Sequence, residues 1–420
     1  METIRKARLA LSSLGMYRPL LKDPMVAAFI RVLDAVHGSS AENFFDAYGE
    51  FIQTLSPVRG EAEVLDFSGR LRTLIHQNDS LFARQAVAGK LTDKVQKIAA
   101  NDLMALSLAA AVSTADIKKA ACSSLGEDIA ELIKTLPDFT SGGVFDLTSM
   151  KDFHAKHGCG IYASYGAFQW QRGASGDSSL FGVASPDPVR LSQLKGYEYE
   201  RRMVLDNTED FLNGISANNL LLYGDRGTGK SSTVKAVFNE YRGRGLRIIE
   251  VSKDSIVEFS HIIDRIASVP LKFIIFIDDL SFNEDDDNYS ALKAVLEGGV
   301  SARPNNTVIY ATSNRRHFVK ENFSERDSDD VHGGDAVQEK LSLADRFGIT
   351  VTFVSPDQNL YFKIVRSLAT DRGIQVDPAQ LERGAAQWAL RFNGRSPRTA
   401  TQYIDWVSGR IEKGMSITDF

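Results

Sequence analysis

Residues 224–231 read GDRGTGKS, a complete G-x-x-x-x-G-K-[ST] pattern, and the segments on either side restrict what it can be. The run NLLLY at 219–223 is apolar and one strand long, while STVKAVFNEY at 232–241 carries helical spacing. Strand, loop and helix in that order are what a phosphate cradle needs. Gly224, Gly227 and Gly229 let the backbone curl so that successive N–H groups point at phosphate oxygens, and the helix adds its positive N-terminal end. On this reading Gly224, Asp225, Arg226, Gly227, Thr228, Gly229 and Ser232 surround a nucleotide. Lys230 reaches the β and γ phosphates, and the Ser231 hydroxyl ligates Mg²⁺. A glycine-rich turn that carries a lysine by chance would need neither the strand nor the helix.

A chain of 420 residues, 43% hydrophobic and 25% charged, has room for two or three domains with separate cores. The net charge of −5 argues against a surface coated with nucleic acid, although it leaves room for a local basic patch. With only Cys122 and Cys159 there is no disulfide framework and no cysteine-rich metal site, which suits a reducing cytoplasm. No run approaches eighteen apolar residues, and the N-terminus lacks a cleavable leader pattern, so neither a membrane partner nor targeting is expected.

Asp23 and Pro24 form a helix start, followed by Met25, Phe29, Val32, Leu33 and Val36 at helical spacing. The spacing returns in Phe44, Tyr48 and Phe51, and in Val87, Leu91, Val95 and Ile98, so a helical domain is expected over 1–140. Beyond it, 141–188 changes texture, and Tyr162, Phe168 and Trp170 among small residues predict a β-hairpin with its loop at 173–179. Its rings either pack onto a neighbouring domain or stack on single-stranded nucleic acid; the acidic chain favours packing. His154, His157 and Cys159 lack the further ligands that a metal site needs.

After the phosphate loop, 246–251 (LRIIEV) and 273–277 (FIIFI) read as buried strands, the latter ending in Asp278 and Asp279. An acidic pair at a strand's C-terminal end is the Walker B pattern: Asp278 holds Mg²⁺ through water, and Asp279 polarises the attacking water. A fourth strand at 307–311 leads to Thr312, Ser313 and Asn314, of which Asn314 is expected to orient that water. A fifth, 349–354, follows Asp345, Arg346, Phe347 and Gly348. Five buried strands alternating with helices predict a doubly wound α/β domain with ligands at the strand C-termini. Helical patterns over 356–371, 378–392 and 397–413 complete the chain.

From about residue 190 the order GDRGTGKS, FIIFIDD, YATSN, LADRFG and GRSPRTA resembles an AAA+ ATPase. More narrowly, GYEYER, LKAVLEGG, YATSNRRH and GRSPRTATQYIDW resemble the bacterial AAA+ family called domain of unknown function 815. The resemblance implies an AAA+ nucleotide-binding domain over 189–355 and a helical lid over 356–420. It puts Gly196 and Tyr197 on the adenine side and makes Arg346 an arginine finger that enters a neighbouring subunit's site. The alternative for Arg346 is a surface ion pair with Asp345. It further implies a lid arginine at the γ-phosphate, Arg398 with Arg395 as competitor. ATP, Mg²⁺ and a homo-oligomeric ring or partial ring follow, with a protein client.

Two departures from the common pattern bear on activity. Asp279 stands where many AAA+ proteins have Glu, and the shorter carboxylate implies slow, switch-like hydrolysis. The stretch 252–272 lacks the aromatic-hydrophobic-glycine triplet of threading unfoldases. The acidic run 284–287 and the arginines Arg315 and Arg316 read as solvated surface as readily as ligand contacts, and 321–335 reads as an acidic loop. The leading expectation is an ATPase that remodels a client; its rival is a nucleotide-gated loader that turns over slowly, on nucleic acid in one version. A P-loop kinase would not need Arg346, and a GTPase would need an N-K-x-D element that the chain lacks.

Overall fold

The computed structural model describes residues 1–38, 40–56, 65–172, 178–281, 287–297, 304–314, 346–392 and 394–417. It divides into two compact units, Met1–Ser164 and Tyr165–Phe420. Residues 284–286, Arg315, Arg316, 321–335 and Asp345 lie outside the described residues, as does the tip of the hairpin at 173–177.

The first unit is helical, and short polar side chains start its helices. Asp23 accepts from the backbone N–H of Met25 at 2.9 Å to open Pro24–Ala35, and Ser113 and Asp116 form a reciprocal capping box for Thr114–Leu125. The apolar stripes meet in a core where the Phe29 and Phe67 ring centroids are 4.3 Å apart and Phe51 and Phe139 meet edge-on at 5.2 Å. The stripe from Val87 to Ile98 is two helices, Leu81–Val87 and Asp93–Ala110. Between them Gly89 takes φ +65°, a left-handed residue that ends the first helix before Thr92 opens the second.

At one end of this unit the His76 ring stacks on Phe153 at 3.7 Å and 11°, and His154 is fully buried with Nδ1 3.0 Å from the Gly158 carbonyl. Burial, with His154 and Arg72 nearby, pulls His76 down to about 4, and burial also lowers His154. Both rings therefore stay neutral in the fold and take up protons more readily in the unfolded chain. Their contribution is complete above the ordinary value of 6.5 and is lost as pH falls below it, for His76 toward about 4. Solvent screening at the half-buried His76 holds its part to about 1–2 kcal/mol. Thermal unfolding followed from pH 7 to pH 5 is expected to show that loss, and His76→Phe to flatten the slope.

The second unit is built on a seven-stranded sheet of order β2-β1-β4-β5-β6-β3-β7. The strands are β1 (Ala167–Arg172), β2 (Ser178–Gly182), β3 (Leu220–Gly224), β4 (Leu246–Val251), β5 (Lys272–Ile277), β6 (Thr307–Ser313) and β7 (Ile349–Phe353). All neighbours are parallel except β1 and β2. β6 lies between the phosphate-loop strand β3 and the acidic strand β5, which brings all three C-terminal ends to one edge.

The expectation of five strands is corrected to seven, because the hairpin joins the sheet. Its first strand runs parallel to β4, from Ala167 opposite Ile248 to Trp170 opposite Val251. Adding the hairpin covers the apolar edge of β4. Phe168 and Trp170 are 1% and 5% exposed, and the Trp170 indole donates to Glu258 at 2.6 Å, so these rings are core and offer no stacking platform for bases.

Three helices close the unit: Gln358–Asp371, Pro378–Arg391 and Pro397–Glu412, opened by Asp357, Asp377 and a capping box of Ser396 with Thr399. Tyr361, Ile364, Leu381, Tyr403 and Val407 bury their inner faces in the same apolar cluster as the sheet. Among the described residues, no single helix is long and apolar enough to cross a membrane.

Candidate functional site

Backbone geometry makes the site before any side chain acts. Gly224, Gly227 and Gly229 have φ of +134°, +77° and +96°, a conformation that costs an L residue about 1–2 kcal/mol, and Gly229 opens the helix Lys230–Tyr241. The loop borders a cleft of ≈ 730 Å³ lined by the ends of β5 and β6 and by residues of the helices Gln358–Asp371 and Pro397–Glu412. Arg226, Gly227, Thr228, Gly229, Lys230, Ser231 and Ser232 line it.

Within the cleft the predicted residues form a connected set. Ser231 Oγ donates to Asp278 Oδ1 at 2.6 Å. Lys230 Nζ, 6% exposed as a residue, donates to the Gly224 carbonyl at 2.9 Å, the Asp225 carbonyl at 2.7 Å and Asn314 Oδ1 at 3.0 Å. The Asn314 amide donates in turn to Asp279 Oδ1 at 2.5 Å. Burial lowers the Lys230 pKa, and the charges of Asp225, Asp279 and Asp278 oppose that shift. Asp279 has φ +53°, a left-handed backbone that aspartate tolerates better than most residues, which turns its carboxylate back toward Asn314.

One strand-end residue does more than its position suggested. Thr312, 2% exposed, donates its hydroxyl proton to Asp278 Oδ1 and accepts the Asp279 backbone N–H at 2.9 Å. A single hydroxyl thus holds the Asp278 carboxylate and the left-handed turn beside it. Ser313 anchors the same end through the Leu280 carbonyl at 2.8 Å.

Other predicted residues sit differently. Arg398 lines the cleft and its backbone N–H donates to the Gly227 carbonyl at 3.2 Å, while Arg395 is exposed and is not among the lining residues. Gly224 and Asp225 do not line it either: a Cβ on Gly224 would lie 2.0 Å from the Phe353 carbonyl oxygen, and the Asp225 carboxylate accepts from the Ser355 N–H at 2.7 Å. Tyr197 is buried with its hydroxyl on the Val354 carbonyl at 2.6 Å, and Gly196 has φ +72°. Neither lines the cleft; Gln193, Leu194 and Lys195 just before them do. Arg346 is half-buried, three residues ahead of β7, and outside the lining of this chain's own cleft.

Sequence reasoning missed Lys195 and Arg201, which face the cleft from the segment ahead of β3. Arg201 donates to the Gly196 carbonyl, and burial lowers its pKa. No motif marks them, because the fold brings them there. Five basic residues, Lys195, Arg201, Arg226, Lys230 and Arg398, face the acidic pair Asp278 and Asp279, a balance suited to a polyanion that carries a divalent cation. Ser231 and Asp278 present two hard oxygens 2.6 Å apart, the donor type that suits Mg²⁺, which takes one or two protein ligands and keeps its waters.

A phosphate loop, an acidic strand end one strand away, a polar residue between them and a helical lid over the cleft define a P-loop protein of the AAA+ class. The chain belongs to the family described as Protein of unknown function (DUF815), whose match spans residues 163–411, more than half of its length. No curated protein matches it at a significant level. Solved structures with partial likeness include the Thermotoga maritima RuvB Holliday junction branch migration motor, at 15% identity and a TM-score of 0.37 over 54% of this chain. One single-residue variant of that RuvB gives the same values, and another a TM-score of 0.38 at 15% identity over 54% of this chain and 67% of that one. The chain spans 66% of the length of the first two.

Proposed function

We propose that the chain binds Mg-ATP in this cleft, hydrolyses it, and couples the cycle to remodelling of a protein client. The observation that carries the reading is the continuous linkage from Lys230 through Asn314 to Asp279, beside the Ser231–Asp278 pair. Lys230 and Arg398 bind phosphate charge, and Ser231 and Asp278 hold Mg²⁺, which neutralises the β and γ oxygens when bound. Asp279 accepts a proton from the attacking water, and Asn314 orients that water against the γ-phosphate. Arg346 completes the site from a neighbouring subunit of a homo-oligomer, where its guanidinium stabilises the transferring phosphoryl.

The domain reading accompanies this: a helical adaptor over 1–140, a hairpin segment over 141–188, the nucleotide domain over 189–355 and the lid over 356–420, working in a reducing cytoplasm. A slow loader is the second reading, and it has its own observation. The short Asp279 carboxylate is engaged by Asn314 at 2.5 Å, so an attacking water has to compete for it. Nucleotide titration and turnover, each with and without DNA or RNA, separate the two. Absence of adenine-nucleotide binding removes both.

Thr312→Val keeps the shape of the side chain and removes the hydroxyl, leaving the Asp279 N–H unpaired. The two hydrogen bonds lost, one of them to a carboxylate, are together worth about 1–3 kcal/mol, so turnover is expected to fall about five- to a hundredfold with nucleotide affinity changed less. Thr312→Ser restores both bonds and is expected to recover the rate in the same steady-state assay.

A further inference from the structure

We propose that Asp225 is a positioning residue that ties the phosphate loop to the hinge of the lid, so that nucleotide in the cleft is felt by the lid through it. The inference rests on the nucleotide-binding reading and names a route for its regulation. Asp225 is the second residue of the loop, yet it serves the far side of the strand end. Its carboxylate accepts from the Ser355 N–H at 2.7 Å, and its own N–H donates to the Phe353 carbonyl at 2.9 Å. Gly224 beside it approaches Phe353 so closely that no side chain could stand there. The bond to Ser355 keeps the Asp225 carboxyl below its ordinary value, so it is ionised at neutral pH and the bond is charge-assisted.

The other half of the tie is the Asp225 carbonyl, which accepts from Lys230 Nζ at 2.7 Å. One residue therefore holds the phosphate-seeking ammonium through its backbone and the hinge through its side chain. Ser355 lies two residues after β7 and two before Asp357, whose carboxylate caps the helix Gln358–Asp371 at the Leu360 N–H, 2.7 Å away. Ile364 and Leu368 of that helix line the cleft. Phosphate oxygens compete with the Asp225 carbonyl for Lys230, and any turn of that peptide unit moves the carboxylate relative to Ser355. Asparagine at 225 keeps an acceptor oxygen for Ser355, whereas alanine keeps none.

The test is amide hydrogen exchange of peptides covering 353–360 in the full chain, with and without ADP or a non-hydrolysable ATP analogue. Nucleotide affinity and thermal unfolding are measured alongside for wild type, Asp225→Asn and Asp225→Ala. In wild type, nucleotide is expected to change exchange at Ser355. In Asp225→Ala that amide exchanges about three- to tenfold faster and equally with or without nucleotide, while Asp225→Asn keeps the response. Asp225→Ser, too short to reach the amide, replaces alanine if that variant unfolds. A response of wild-type size in the alanine or serine variant overturns the proposal, as does its loss in Asp225→Asn. Nucleotide binding by wild type with no change at 353–360 overturns this inference alone; no binding overturns the parent reading with it.

Discussion

Lys230→Ala is expected to abolish measurable ATP binding. The lysine is buried against the loop, its pKa already lowered by desolvation, and its ammonium reaches three acceptors converging from β3, the loop and the end of β6. Lys195, Arg201, Arg226 and Arg398 also line the cleft, but of the five only the Lys230 ammonium is held by the loop's own carbonyls, and without it a phosphate loses its nearest partner there. Breaking such a pair by removing one partner costs about 3–5 kcal/mol, which is about two to four orders of magnitude in affinity. Isothermal titration with ATP and ADP measures it directly. A melting temperature near that of wild type separates loss of ligand from loss of fold, and ATP affinity within tenfold of wild type would remove Lys230 from the site.

Arg346→Ala is expected to behave in the opposite way, with ATP affinity preserved and hydrolysis reduced. A guanidinium that meets the phosphoryl only in the transition state leaves ground-state binding alone, and comparable arginines contribute about 10³–10⁵ in rate. Arg346 lies outside its own chain's cleft, and the proposed role places it in a neighbour's. Mixing Arg346→Ala with Asp279→Asn subunits is therefore expected to restore some turnover, because composite sites with both groups intact then form. Equal loss of binding in Arg346→Ala and Lys230→Ala would refute the assignment, and no recovery on mixing would favour a self-contained site. Retention of a protein by the Asp279→Asn variant during purification in ATP would identify the client.

The core of the site was legible because its chemistry is local in the chain. Strand, glycine loop and helix around Lys230 are contiguous, and the run FIIFI needs only Asp278 and Asp279 after it to announce an acidic strand end. Capping chemistry marked a helix start equally well: Asp23 before Pro24 opens a helix with the bond its residue type predicts. The hairpin was legible as a hairpin but not as part of the sheet, because its pairing with β4 joins Ala167 to Ile248 and no local pattern records the choice of edge. Likewise Leu91 fits the period of both flanking helices, and only the left-handed Gly89 breaks the stripe.

By itself, then, the chain's order of residues determined that a glycine-rich loop between strand and helix, an acidic strand end and a set of C-terminal helices would exist, since each is written in consecutive residues whose backbone preferences and periodicity act over one or two turns. Tertiary structure decided which of those residues face the cleft. It turned Asp225 away onto Ser355, set Thr312 between Asp278 and Asp279, brought Lys195 and Arg201 to the lining, and separated Arg398 from Arg395. The reason is one of range: φ/ψ preference and spacing are properties of neighbours, whereas the direction of a side chain in a cleft depends on strands and helices that meet only after the sheet has formed.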